Sequence, residues 1–318
     1  MPTIKVAEHA GFCFGVKKAI EIAEDVAQSN KGKTYVYGQL VHNEKVINDL
    51  EGKGIIFAES MDEIPQNAVT VLRAHGEPGT TYRLLEEKSI VKGKNLNDAT
   101  CPLVTLVHNV AIRLKNNGYE VILFGKANHP EAIGTSYHLK GKDTFIVEEP
   151  EQYESVIGYL KENDFNKVAI ISQTTMSVYG YKKLIDNINS ELKDEKFGEM
   201  HLNLRDMDKK YGYVDTICNP TKQRQFDTEE LAKDSDIIIV IGGKNSSNSK
   251  ELYAKCREFG VESYFIQSEE QLEKEWFTGK EKIGVTAGAS TPDYLINDVV
   301  ENIKNFEKIN FSAKWQIQ

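Results

Sequence analysis

The chain has no apolar run of membrane-spanning length. Segments such as VAIIS and DIIIVIGG fall far short of the roughly 20 residues that a spanning helix needs. It has no surplus of positive charge: 39 Lys and Arg stand against 48 Asp and Glu, for a net charge of −9 and a pI near 5.4. Such a chain lacks the basic surface that non-specific nucleic-acid binding requires. Neither nucleic acid nor a membrane is therefore expected as a partner. The opening MPTIKVAEHAGF lacks the apolar core and cleavage site of a secretory signal, and a cytoplasmic location is expected. Cysteine is sparse, at positions 13, 101, 218 and 256, and no two form a CxxC. That spacing argues against a zinc ribbon, whose ligands come in close pairs. A structural disulfide is not expected in a cytoplasmic chain.

What is present is a regular alternation of strands and helices over 318 residues, 40% of them apolar, enough for two or three domains. Short β-rich runs include KTYVYG, AVTVLRA, YEVILFG, KVAIIS, DIIIVIGG and EKIGVTAG. Helical patterns lie between them. In GVKKAIEIAEDVAQS, Val16, Ala19, Ile20, Ala23, Val26 and Ala27 share one face. Strands alternating with helices predict an α/β fold with small, mostly parallel sheets.

The alternation repeats three times. Cys13, Cys101 and Cys218 each directly precede a helical pattern. Gly38, Gly125 and Gly242 follow them by 25, 24 and 24 residues, each closing an apolar strand. Four residues after each glycine stands a polar side chain: His42, His129 and Ser246. A further apolar strand then ends in a polar loop, with His75, Thr174 and Ser290. Coincidence among similar elements accounts poorly for three anchors in one order. The repeat predicts three similar α/β units, at 1–99, 100–200 and 201–318, with the C-terminal tail packing back on the first. Ligands of such units bind at the carboxyl ends of the strands. A pseudo-three-fold, trefoil arrangement would bring the marked residues to one central cavity. The charged stretch at 190–212, SELKDEKFGEMHLNLRDMDKKYG, reads as an exposed excursion or linker.

A cysteine at a helix start is favoured as thiolate by the helix dipole. Three such thiolates suit an iron–sulfur cluster with one iron lacking a protein ligand; a three-cysteine zinc with a water is the alternative. Taken singly, each would read better as a buried, inert thiol, and Cys256, in the helix KELYAKCREFG, keeps that reading. In KNSSNSKEL, Ser246, Ser247 and Asn248 open a helix and suit an anion, or serve as plain N-caps. Glu131, in NHPEAIGT, is placed to deliver a proton, or simply complements the helix dipole. Thr174 orients a hydroxyl or caps a turn. His9, His108, His138 and His201 read as structural.

The motifs GFCFGV, LVHN, AHG, DATCPLVT, GKANHPEAIGT, SQTTMS, DTIC, GKNSSNS and VTAGAS together resemble the 4-hydroxy-3-methylbut-2-enyl diphosphate reductase (IspH/LytB) family, from residue 13 to about 293. The resemblance implies an oxidoreductase of the non-mevalonate isoprenoid pathway. It implies a 4Fe–4S cluster with one open iron site, held by Cys13, Cys101 and Cys218. The allylic diphosphate substrate would be bound by His42, His75, His129, Ser246, Ser247, Asn248 and Ser290. Glu131, Thr174 and His129 would be catalytic, with Glu131 delivering the proton. A ferredoxin- or flavodoxin-like protein would supply electrons, and a monomer is expected. Two departures stand out: CNPTKQRQ after the third cysteine keeps only Thr221, Arg224 and Gln225 of the family's run, and Arg73 precedes AHG.

Overall fold

In a computed structural model, which describes residues 2–192, 196–205 and 207–314, the chain forms two compact units. One comprises residues 1–16, 41–49 and 219–318, the other residues 17–40 and 50–218.

The second of these carries two sheets. The smaller has the order β3-β2-β4-β5, from Ile55–Ala58, Thr34–Tyr37, Val69–Leu72 and Leu96–Asp98. The larger has the order β7-β6-β8-β10-β9, from Ile146–Val147, Glu120–Phe124, Val168–Ser172, Tyr211–Val214 and Gly198–Met200. The other unit carries one sheet, β1-β13-β11-β12, from Thr3–Val6, Lys282–Ala287, Ile237–Ile241 and Glu262–Ile266. Every strand pair is parallel, so the chain must return through helices between strands. These are α1 (Phe14–Ser29), α2 (Glu44–Gly52), α3 (Gly79–Glu87), α4 (Pro102–Asn116), α5 (Pro130–His138), α6 (Tyr153–Glu162), α7 (Val178–Glu191), α8 (Asn219–Lys233), α9 (Ser247–Glu258) and α10 (Asp293–Lys314). Among the described residues no helix is long and apolar enough to cross a membrane.

The near-continuous apolar runs are the central strands, buried on both faces. Their side chains alternate between two cores. Ile122, Phe124, Val168 and Ile170 enter one, while Val121, Leu123, Ala169 and Ile171 enter the other. In the third sheet Ile237, Ile239 and Ile241 pack with α10 through Ile296, Val299 and Ile303, while Ile238 and Val240 pack with Leu252 and Cys256. Helix α1 buries Ala19 and Ala23 and half-buries Val16, Ile20, Val26 and Ala27, the face that its periodicity predicts.

The repeat is visible in the topology. In each sheet the strand closed by a marked glycine lies between the next two strands, and a fourth strand flanks the third. The fourth strands are β5, β10 and β1, and each runs directly toward a cysteine: Cys101, Cys218 and Cys13. The linear repeat in the sequence predicts residues 1–99 as one unit. Strand β1 instead completes the sheet of residues 237–287 by pairing with β13, and the C-terminal helix shares a core with Ile4 and Ala10. The repeat is thus circularly permuted by one strand, which a linear reading from the first residue does not show.

The stretch at 190–212 departs from the expected linker. Strand β9 pairs with β10, and Phe197, Met200 and Leu204 are buried. Its apolar residues are interleaved with charge, and the charge hid the strand; residues 193–195 and 206 lie outside the described residues. Met200 lies against Gly212, where a Cβ would come within 2.6 Å of its sulfur. Met200→Ala is therefore expected to lower stability by about 2–5 kcal/mol in urea unfolding of the full chain. An exposed linker would show almost no change.

Candidate functional site

Each of the three marked cysteines sits at the start of a helix: Cys13 before α1, Cys101 at the N-cap of α4, Cys218 before α8. None of the four cysteines is in a disulfide. The three are half-exposed, whereas Cys256 is buried and burial pushes its thiol up to about 12. One backbone hydrogen bond recurs at all three. The amide of Cys101 donates to Ala74 O at 2.9 Å, that of Cys218 to Thr174 O at 3.1 Å, and that of Cys13 to Ala289 O at 3.2 Å. Each accepting carbonyl lies two residues past the end of the third strand of its sheet, β4, β8 or β13. The glycine anchors repeat as well: Gly38, Gly125 and Gly242 donate to Ala58, Val147 and Ile266 at 2.8, 2.8 and 2.9 Å. This geometry also corrects the repeat register. Thr174 corresponds to Ala74 and Ala289, one residue before His75 and Ser290.

In the unit of residues 17–40 and 50–218, Glu131 stands in the first turn of α5 and is 2% exposed. One carboxylate oxygen accepts the backbone N–H of Thr174 at 2.7 Å, and the other accepts its hydroxyl at 2.7 Å. Burial raises the Glu131 carboxyl to about 7, against the two Thr174 bonds, which pull it down. The carbonyl of the same Thr174 holds Cys218. Buried carboxyl, hydroxyl and cysteine loop are thus joined through one residue. His129 caps α5, its Nδ1 accepting the N–H of Glu131 at 3.1 Å. That fixes the neutral tautomer with its proton on Nε2. His75 meets His129 edge-on, with ring centroids 5.4 Å apart. Arg73, the departure noted above, pairs with Glu77 at 2.5 Å and lies so close to Gly38 that a Cβ there would come within 2.7 Å of its guanidinium.

In the other unit, Ser246 caps α9. Its hydroxyl oxygen accepts the N–H of Ser249 at 3.2 Å and lies 2.9 Å from the Ser249 hydroxyl. Asn248 Oδ1 accepts the N–H of Ala289 at 3.0 Å, and Ala289 O in turn holds Cys13. Asn248 Nδ2 is buried and has no hydrogen-bond partner among the described residues. The Ser290 hydroxyl donates to His42 O at 3.1 Å. Ser247 is half-exposed beside them. Gly243 can only be glycine, since a Cβ would come within 2.1 Å of His42 O.

Glu131 and Asn248 therefore hold equivalent places. Each follows its glycine by six residues, and each uses a side-chain oxygen to take the amide of the residue whose carbonyl holds a cysteine. Sequence reasoning named both residues but missed this equivalence, although the common spacing was there to be counted. The corresponding residue after Gly38 is Glu44, which is exposed. Of the histidines read as structural, His108 is buried against His138, with burial pushing it down to about 4, and His9 bonds Asp227.

The family described as "LytB protein" matches residues 4–304. Among similar proteins, the "4-hydroxy-3-methylbut-2-enyl diphosphate reductase" of Nitratiruptor sp. is 38% identical over 305 residues, covering 96% of this chain and 99% of its own. The protein of that name from Aquifex aeolicus is 36% identical over 307 residues, covering 96% of each. Of solved structures, the E-1-hydroxy-2-methyl-but-2-enyl-4-diphosphate reductase of Plasmodium falciparum superposes with a TM-score of 0.80 at 26% identity, over 94% of this chain and 87% of that one. A structure titled as (E)-4-hydroxy-3-methyl-but-2-enyl diphosphate reductase, the terminal enzyme of the non-mevalonate pathway, gives 0.62 at 36% identity over 96% of this chain and the whole of the other. With cysteines, glycine corners and polar loops repeating in one register and the match running almost end to end, this chain belongs to the LytB family.

Proposed function

We propose that the chain is a cytoplasmic 4-hydroxy-3-methylbut-2-enyl diphosphate reductase. It would convert its allylic substrate to isopentenyl and dimethylallyl diphosphate. Two electrons and two protons enter, and the hydroxyl leaves as water. Cys13, Cys101 and Cys218 would hold a 4Fe–4S cluster with one iron left without a protein ligand. The donor set fits: three half-exposed cysteines outside any disulfide, each at a helix start, each with its amide fixed by the same bond. When bound, the cluster supplies single electrons from a ferredoxin- or flavodoxin-like donor and a Lewis-acid site for the departing hydroxyl.

The observation that carries the reading is the Glu131–Thr174 pair. At about 7 the carboxyl is half-protonated near neutral pH, as a general acid must be. Protonated Glu131 can donate to the Thr174 hydroxyl oxygen, which turns the Thr174 proton outward toward a leaving hydroxyl. The diphosphate would lie at the start of α9, where helix N–H groups favour an anion. Asn248 has its oxygen committed to Ala289, which leaves Nδ2 as a fixed donor. The Ser246 oxygen already accepts from Ser249, so its own proton points elsewhere. Ser247, His42, His75 and the Nε2–H of His129 would complete the donor set, with no lysine required; Ser290, whose proton goes to His42 O, would join it only by turning its hydroxyl toward the anion.

Under anaerobic assay, substrate should be consumed only when a one-electron reductant is supplied. Turnover without reductant would make the chain a dehydratase instead. Glu131→Gln keeps an acceptor for the Thr174 amide and an NH₂ for its hydroxyl, so the cluster and substrate affinity should persist while turnover falls roughly 10²–10⁴-fold. Normal turnover would remove Glu131 from the proton path. Because the acid works protonated, wild-type turnover should decline as pH rises through about 7, and the residual rate of Glu131→Gln should lack that limb. Ser246→Ala should raise KM about ten- to a hundred-fold, the loss of one hydrogen bond to a charged group, with kcat little changed. An unaltered KM would place the diphosphate elsewhere.

A further inference from the structure

Helix α8 buries an unusual stripe. A helix normally turns apolar residues to the core. Here Thr221, Arg224, Gln225 and Thr228 are all buried, ahead of Leu231 and Ala232. Such a stripe makes specific hydrogen bonds rather than area for packing. Thr228 reaches the hydroxyl of Thr286 in β13 at 3.0 Å. Arg224 makes a fork: Nη2 donates to Gly11 O at 2.5 Å, and Nη1 donates to Pro220 O at 2.8 Å. Gly11 lies two residues before Cys13.

The Gly11 turn has little freedom. Its φ is +95°, and a Cβ would come within 3.0 Å of Ile296 and 3.1 Å of Asp293. Its backbone conformation suits glycine alone, and its carbonyl is taken by a buried guanidinium. Two residues on, the Cys13 amide is held by Ala289. The Gly11 amide also donates to Ala287 O at 3.4 Å, so the cysteine loop is held at three points, two by backbone carbonyls at the end of β13 and one by a side chain from a helix.

We infer that Arg224 is a positioning residue for Cys13: its guanidinium ties the Gly11 turn to the first turn of α8 and so fixes the thiol at the start of α1. The functional consequence rests on the reading of Cys13 as a cluster ligand. A planar fork with two donors at fixed spacing can bridge two carbonyls, whereas a lysine ammonium is a point charge that serves one of them well. Charge alone therefore does not replace Arg224.

The test is thiol labelling of the full chain purified anaerobically, with a maleimide pulse and the modified cysteines assigned by peptide mass. In Arg224→Gln, labelling of Cys13 should rise about tenfold or more, the loss of a hydrogen bond from a charged group, with Arg224→Lys in between. Cys256, buried in the core, is the internal control for folding and should stay slow. Cys13 labelling at the wild-type rate in Arg224→Gln would overturn the assignment. So would a parallel rise at Cys256, which would make Arg224 a general structural residue. Iron bound per wild-type chain, measured on the same samples, tests the ligand reading separately. A selective rise at Cys13 in a chain that takes up no iron would uphold Arg224 as positioning residue while removing Cys13 as ligand.

Discussion

The structure turns on one backbone hydrogen bond used three times. In each sheet the carbonyl two residues past the third strand receives the amide of a cysteine that opens the following helix. A parallel strand leaves its last carbonyls without a ladder partner, and a helix start leaves its first amides without one. Joining the two satisfies both and fixes the direction in which the cysteine enters its helix. The thiol therefore stands at the carboxyl edge of the sheet, where α/β folds bind ligands. Glycine corners and fully buried central strands make that edge rigid.

On this common frame one position carries side chains of different chemistry for the same contact. Six residues past its glycine, one segment carries Glu131 and another Asn248, both buried and both reaching the residue that holds a cysteine. The same scaffold contact is made by a carboxyl that burial brings to about 7 and by an amide that never titrates. An ionisable acid and a non-titrating amide thus occupy one geometry through a change of side chain. Burial supplies the difference: it raises the pKa of the acid, and it raises the cost of leaving the amide nitrogen without a hydrogen-bond partner.

Much of this was legible in the residues. The apolar runs became central strands because nothing but a two-sided core tolerates IIIVI or VAIIS. The cysteines announced helix starts, and the glycines announced strand ends. Three things were not legible. Strand β1 joins β13 by pairing Thr3 with Lys282 and Val6 with Val285, a long-range pairing that no local pattern encodes. Strand β9 was hidden by lysines and acids around Phe197, Met200 and Leu204. The fork of Arg224 depends on a carbonyl 213 residues away, and a sequence shows only that an arginine is present in a helix. The off-by-one placing of Thr174 has a different cause: polar loop residues were matched by type, whereas the structure repeats a backbone carbonyl.

The claim that most depends on chemistry rather than fold is that the three repeated cysteines serve one metal centre. The most direct measurement is iron and acid-labile sulfide per chain after anaerobic purification, beside the same count for a chain with Cys101→Ser. About four of each in the parent and a large loss in the variant are predicted. A single zinc, or an undiminished iron count without Cys101, would contradict the account.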